Sequence, residues 1–310
     1  MKKALLPLLI ASALPMSAFA DVTVYGKANV SLQNSDESDN SQFELVSNAS
    51  RIGLKGGEQI NDGLKAIYQF EYQTEVDDGA NGSNNQTFGQ RNIFVGLQGT
   101  AGTLIAGKFD TPVKAAQEKV DLFNDLEGDM SFVMVGETRA NNIVQYSSPL
   151  LGKAVTINVA QVSAEDPAMD DGLSVSATYT SASWYAALAT EKDITAQGAD
   201  ITRAVGRYTL NAWQFGLLIQ QAKDAASNKT NSWLVSTKYS LNDSWALKAQ
   251  YGDADLDLAD GKRKQLSVGA DYSLSKNTTL FGFYTQEKAD AGSVNVSDDN
   301  WIGVGMELKF

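Results

Sequence analysis

Five carboxylates, Glu118, Asp121, Asp125, Glu127 and Asp129, fall within one stretch of this 310-residue chain, DTPVKAAQEKVDLFNDLEGDMSFVMVGETRA at 110–140. Val120, Leu122, Phe123 and Leu126 are interleaved with them, so the segment carries both negative charge and its own apolar anchors. About thirty residues without regular alternation is a long excursion for a connecting loop. A loop of this kind either lies on the surface as a lid or folds into the space its strands enclose and narrows it. Nucleophilic chemistry finds no support elsewhere in the chain. With no Cys and no His, a thiol nucleophile, a Ser-His-Asp triad and Cys- or His-ligated zinc are all excluded. A hydrolase would lack the base its nucleophile needs, so no enzyme is expected. No cofactor is called for.

The elements that position this loop are read from the start of the chain. MKKALLPLLIASALPMSAFA has a basic Lys2-Lys3 start, an apolar core from Ala4 to Leu14 and a small-x-small end at Ala18-Phe19-Ala20. This reads as a cleaved signal peptide over 1–20, leaving 21–310 as the mature unit. Its core is short and interrupted by Pro7 and Pro15, which suits export better than a membrane-spanning helix. Loss of Lys2 and Lys3 takes the formal charge from −12 to −14. Such a chain is a poor nucleic-acid binder, because phosphates need clustered Lys and Arg. After residue 20 no apolar run approaches the length of a membrane helix, but a β-barrel needs an apolar residue only at alternate positions.

That alternation runs through most of the chain. Val22, Val24, Gly26, Ala28, Val30 and Leu32 share one face, and Thr23, Tyr25, Lys27, Asn29 and Ser31 the other. The run is longer than an ordinary globular strand and matches a tilted bilayer crossing. Residues 33–41 read as an acidic loop, the second strand as ending near Gly56, and 57–63 as a turn. Further strands are read near 64–73, 88–98 and 103–109, then from 141–148 through 264–274, 278–288 and 300–310. Connections alternate between short, as at 181–183 and 210–212, and longer and polar, as at 163–172, 193–200 and 289–299. The count is about sixteen, an even number with both termini on the short-turn side, as in an up-and-down barrel.

On the later strands one parity carries Trp213, Phe215, Leu217 and Ile219, then Trp233, Val235 and Tyr239. The opposite parity carries Gln214, Gln220, Ser232, Ser236 and Lys238. In a soluble sandwich the first face is the dry core; in a membrane barrel it meets lipid, with Trp and Tyr near the interfaces. Strand length, even count and absent disulfides favour an all-β, 16-stranded antiparallel transmembrane β-barrel. An exported soluble binding module is the alternative, and solubility without detergent distinguishes it.

Several segments resemble the Gram-negative general (non-specific) porins. VTVYGKANVSL is similar to that family's first strand, SRIGLKGGEQINDGLKAIYQFEY to its second and third, and QRNIFVGLQGTAGTLIAGK to its fourth and fifth. RANNIVQYSSP resembles the strand after the third loop, and the final aromatic, Phe310, resembles the signal read by the barrel-assembly machinery. The resemblance covers the mature chain.

It implies an outer-membrane homotrimer of barrels whose long third loop, here 110–140, folds inward. Ions and small hydrophilic solutes would diffuse passively through a water-filled lumen, with outer-membrane lipid and lipopolysaccharide around it. Basic wall residues would face the acidic loop; matched by position they are Lys27, Arg51, Arg91 and Arg139, with Lys108 added. Parity agrees for Lys27, which lies opposite the Val/Ala face. A charge facing lipid at mid-depth costs about 2–4 kcal/mol, so strand cations belong on the lumen or near a rim.

The Pro-Glu-Phe-Gly-Gly run of many relatives is missing, DLFNDLEGD standing in its place, and Gln145 occupies a position that is often Arg. Net charge and loop acids favour weak cation selectivity. A substrate-specific porin for a sugar or organic anion is the runner-up, for which an aromatic ladder along the lumen would be the sign. Asp36-Glu37-Ser38-Asp39 offers oxygen ligands for a divalent ion, though solvated charge explains it as well and no metal is assigned.

Overall fold

The computed structural model describes residues 22–37, 40–78, 87–166 and 168–310. The signal-peptide reading of 1–20, Ser38, Asp39 and most of the polar loop after Asp78 lie outside the described residues.

One antiparallel sheet closes on itself. Its strands, numbered in chain order, are β1 (Thr23–Glu37), β2 (Asn40–Ser47 continued as Arg51–Asn61), β3 (Leu64–Gln73) and β4 (Gly89–Gln90 continued as Ile93–Gly99). Then come β5 (Gly102–Asp110), β6 (Arg139–Ser147), β7 (Val155–Val162), β8 (Gly172–Thr180), β9 (Trp184–Lys192) and β10 (Asp200–Leu210). The barrel is completed by β11 (Trp213–Lys223), β12 (Lys229–Ser240), β13 (Trp245–Leu256), β14 (Gly261–Ser273), β15 (Thr278–Ala291) and β16 (Val294–Lys309). Two strands are interrupted, so the hydrogen-bonded segments make sixteen strands. Closure is direct: β1 pairs with β16 from Lys27 opposite Lys309 to Asp36 opposite Asn300.

Burial is inverted relative to a water-soluble sandwich. Leu188, Ile302 and Val304 are more than 60% exposed, whereas Ser31, Gln265 and Arg203 are fully buried. The apolar parity therefore faces outward and the polar parity inward, which suits lipid outside and a polar lumen. Aromatic pairs mark one rim. Trp184 stacks with Tyr208, Trp213 with Tyr239 and Trp245 with Tyr272, at ring separations of 4.3, 4.4 and 4.7 Å. Each Trp opens its strand just after a short turn, the place where amphipathic rings bridge an interface.

Three sequence readings are corrected. Residues 33–37 are not loop but the end of β1, paired with β2 up to Glu37 opposite Asn40. The region 289–299 is the paired tip of β15 and β16 rather than a long loop. β2 runs through the predicted turn to Asn61. In each case apolar alternation ends where the strand leaves the lipid layer, while the backbone ladder continues as a polar ribbon.

The break in β2 also shifts register. Gln33 pairs with Glu44 before it, and Lys27 with Arg51 after it. Glu44 and Arg51, an odd number of residues apart, thus both face inward, because the irregularity at Asn48–Ser50 resets the parity. Ala49 takes a positive φ of 50° there, and Ser50 Oγ patches the ladder by accepting from Asn29 N at 2.9 Å.

Candidate functional site

The segment between Asp110 and Arg139 lies against the inward face of the barrel. It begins with a single helical turn, α1 (Pro112–Ala115), capped by Thr111, whose Oγ1 accepts from Lys114 N at 3.3 Å, with Pro112 in the first turn. A tight 3-10 turn at Met130–Phe132 is capped by Asp129, which accepts from Ser131 N at 2.9 Å. Backbone enclosed by a barrel needs partners for its own polar groups. The wall supplies them. Tyr185 Oη donates to Ala116 O at 2.9 Å and Ser236 Oγ to Val120 O at 2.6 Å. Gln250 accepts from Leu122 N at 2.9 Å and donates to Gly128 O at 3.2 Å, and Gln265 donates to Asp129 O at 2.8 Å.

Apolar anchors reinforce these bonds. Val113, Val120, Met130 and Met134 pack on Ile201, Val205, Leu218 and Leu234 of β10 to β12. Phe123 joins Phe281, Phe283 and Trp301 of β15 and β16. The strongest tether is Arg203 of β10, whose guanidinium has no solvent exposure. It donates to Gln220 Oε1 at 2.8 Å, Val113 O at 3.1 Å, Glu137 Oε1 at 2.9 Å and Val135 O at 2.7 Å. The loop is thus sewn to the β8–β16 wall, and its tip reaches across to β1 and β2.

At that tip Asp125 ion-pairs with Lys27 at 2.8 Å and with Arg51. Glu127 accepts from Gln33 Nε2 at 2.8 Å. Burial works against ionisation of Asp125, but the cations of Arg51, Lys27 and Arg91 outweigh it and hold its carboxyl below the usual range. Glu127 is shifted the other way, up, by burial and by Glu37 and Glu44, with Gln33 opposing.

The remaining loop acids have other roles. Asp121 is buried and accepts from Phe123 N, Met130 N and Gln250 Nε2, each at 3.0 Å. Burial and the neighbouring Asp129 push its carboxyl up to about 7, against those three donors. Asp129 caps its turn and also accepts from Asn124 and from Asp125 N. Glu118 pairs with Arg207 of β10.

Among the wall cations, Arg91 lies 3.0 Å from Glu71, which also accepts from Tyr25 Oη at 3.0 Å. Lys27, Arg51 and Arg91 therefore form one charge network with Glu71 and Asp125. Arg139 sits at the foot of the loop, 3.0 Å from Asp110 and donating to Asn92 Oδ1 at 2.9 Å, so it ties together the two strands the loop leaves. Lys108 departs from its expected place. It is directly opposite Ile93, in the register that pairs Val95 with Ala106 and Leu97 with Leu104. These residues are on the lipid-facing parity, and Lys108 lies near the long-loop rim of that face, not with the wall cations. Phe310 closes the barrel seam: its N donates to Gly26 O at 3.1 Å and its O accepts from Gly26 N at 3.0 Å.

Sequence reasoning missed Arg203, Arg207, Glu71 and Glu137. Arg203 and Arg207 carried a signal, two cations on the same parity of one strand that a lipid face would not tolerate. Among the described residues no group of three or more Asp or Glu side chains is placed to hold a metal ion.

The Gram-negative porin family model matches residues 7–292. The chain belongs to the Gram-negative porin family. The major outer membrane protein P.IB of Neisseria meningitidis serogroup B is 26% identical over 345 residues, spanning 100% of each chain. That of Neisseria sicca is 34% identical over 163 residues, 48% of this chain and 44% of that protein. Among solved structures, the anion-selective porin from Comamonas acidovorans superimposes with a TM-score of 0.79 at 20% identity, covering 94% of this chain and 99% of that one. OmpF of Salmonella typhi, in a complex with daunomycin, has a TM-score of 0.73 at 19% identity and covers 93% and 97%. Likeness at these identities is one of fold. The porin is thus an outer-membrane β-barrel channel for passive diffusion of ions and small hydrophilic solutes.

Proposed function

We propose that the loop 110–140 is the constriction of this porin, and that solutes pass beside it through the part of the lumen it leaves open. The observation that carries the reading is the contact of Asp125 with Lys27 and Arg51, which holds the tip beyond its anchors on β8–β16, against β1 and β2. Passage is selected by cross-section and by the local field, without catalysis. Asp125 is neutralised by its two partners, and Asp121 and Asp129 are spent inside the loop. The carboxylates that act on permeating ions are then Glu127 and its neighbours Glu37 and Glu44, giving a weak preference for cations. A substrate-specific channel has less support, because the inward rings of Tyr185 and Phe123 are engaged in loop packing. A homotrimer is the expected assembly; the OmpT structure from Vibrio cholerae described as a trimer form has a TM-score of 0.70 with this chain at 16% identity, covering 94% of this chain and 99% of that one.

Reconstitution into a planar bilayer under a KCl gradient tests the reading. Stepwise conductance with a cation-signed zero-current potential supports it. An anion-signed potential would hand control to Lys27, Arg51 and Arg91. A folded barrel without conductance would overturn it.

A further inference from the structure

The inward charges are not distributed evenly along the barrel. Glu37 ends β1 and Glu44 lies in the first part of β2, at the rim where the long loop leaves the sheet. Glu287 is near the same rim, in the last part of β15, and Glu127 comes from the loop. All four point into the lumen. Trp301 Nε1 donates to Glu37 at 2.9 Å, Gln33 Nε2 to Glu44 at 3.2 Å and to Glu127 at 2.8 Å, and Gln265 Nε2 to Glu287 at 2.8 Å. Among the described residues, none of the four lies within 4.0 Å of a Lys or Arg nitrogen. Their hydrogen-bond donors are neutral amides, indole and hydroxyl, which orient the carboxylates without cancelling their charge.

The short-turn end of the lumen has the opposite sign. Lys55 sits over the inward Tyr25 ring at 5.2 Å. Lys65, at the start of β3, lays its Cε over Gly57 on the same face. Lys238, close to the end of β12, is directly opposite Lys248 and Gln214, whose side chain donates to Lys119 O of the loop. Among the described residues Lys55, Lys65 and Lys238 have no carboxylate within 4.0 Å, whereas Lys248 is matched by Asp271 at 3.0 Å. At the waist between the two ends, the pairing of Asp125 with Lys27 and Arg51 leaves little uncompensated charge.

We propose that this pore is electrically polarised along its axis, with Glu37, Glu44, Glu127 and Glu287 forming a cation-rich mouth at the long-loop rim and Lys55, Lys65 and Lys238 an anion-rich vestibule at the short-turn rim, so that it rectifies current. The inference rests on the reading that the lumen conducts. Fixed charge on low-dielectric walls enriches counter-ions locally. When the long-loop side is positive, cations enter through the acidic mouth and anions through the basic vestibule. Both populations move toward the waist and accumulate there, which raises conductance. Reversing the voltage draws both away from the waist and depletes it.

The test is the current–voltage curve of single, unidirectionally inserted pores. Orientation is read by placing a unique thiol on the long-loop rim with Asp224→Cys, in a chain that has no other cysteine, and finding which side a membrane-impermeant thiol reagent reaches it from. In about 0.01 M KCl, where the Debye length is about 30 Å, current at equal and opposite voltages should differ by about twofold, larger with the long-loop side positive. In about 1 M KCl, where that length is about 3 Å, the ratio should approach one. E44Q/E287Q and K55Q/K65Q/K238Q should each reduce the ratio while moving the zero-current potential in opposite directions, the first toward anions and the second toward cations. A symmetric curve at low salt, rectification of the opposite sense, or a ratio that neither variant changes would overturn the proposal. Absence of any conductance would remove the pore reading and this inference with it; symmetric conductance would remove only the inference.

Discussion

Asp125, at the tip of the long loop, lies 2.8 Å from the Nζ of Lys27 on the first strand, ninety-eight residues earlier in the chain. Arg51 of the second strand reaches the same carboxylate oxygen. Lys27 and Arg51 are cross-strand neighbours, so Asp125 also screens two like charges from each other. D125N should therefore loosen the tip and, among the described residues, leave Lys27 with only Glu307, at 3.4 Å, and Arg51 with only Glu71, at 3.9 Å. Zero-current potentials are expected to move toward anions and open-channel noise to rise. A double-mutant cycle with K27M, followed by denaturant unfolding in detergent, should give a coupling of about 1–3 kcal/mol. Additive single effects would show that the contact contributes nothing.

Acidification should act on the tip of the loop in two stages. Glu127, raised by burial beside Glu37 and Glu44, takes up its proton above the usual 4.5. Asp125 is held below 3.8 by its cations despite its burial. It binds a proton less readily folded than unfolded, so its stabilising pairing is complete above its unfolded pKa of about 3.9 and is lost only as pH falls through the lower folded value. Cation preference should fall first, with the tip still latched. E127Q should abolish that first fall in the potential–pH curve; an unchanged curve would assign it to another carboxylate.

Arg203 cannot be replaced by another cation without loss. Its planar fork serves four acceptors, including two loop carbonyls and Glu137. Lysine offers a point charge and no fork. R203M leaves Glu137 buried without its main partner and should cost about 3–5 kcal/mol, with E137Q recovering part of it. R203K should retain the charge and still expose the loop to added protease. Wild-type resistance in R203K would count against the tether.

Gly26 is required at the seam. A Cβ there would stand 2.5 Å from the Phe310 ring and 2.6 Å from Arg51 O, and the second contact is backbone that cannot swing aside. G26V should destabilise closure by about 1–3 kcal/mol. The readout is heat-modifiable migration on a gel, which should be lost at a lower temperature than in the wild type. Equal transition temperatures would show that the seam relaxes freely.

Much of the barrel was legible because lipid imposes a strict period of two, and β9 and β11 keep it without a break. Where that constraint lapses, so did the reading. The ends of β1, β15 and β16 lie beyond the apolar band, and only hydrogen bonds mark them as strand. The bulge before Arg51 changed parity in a way no alternation rule anticipates. The loop acids looked equivalent in sequence, yet Asp121 and Asp129 serve the loop's own backbone while Asp125 crosses to the wall. That last role depends on partners 98 and 74 residues away. Lys108 was placed by resemblance, whereas its shared parity with Leu104 and Ala106 already pointed to the other face.

The inverted burial has a consequence for the chain before it folds. Each strand gives lipid only alternate residues, so the unfolded polypeptide beyond residue 20 offers no continuous greasy segment for a helix-inserting translocon to retain. The lipid-facing surface does not exist in the linear chain. It is created when the last strand meets the first, and this lets a protein destined for one membrane cross another without stopping there.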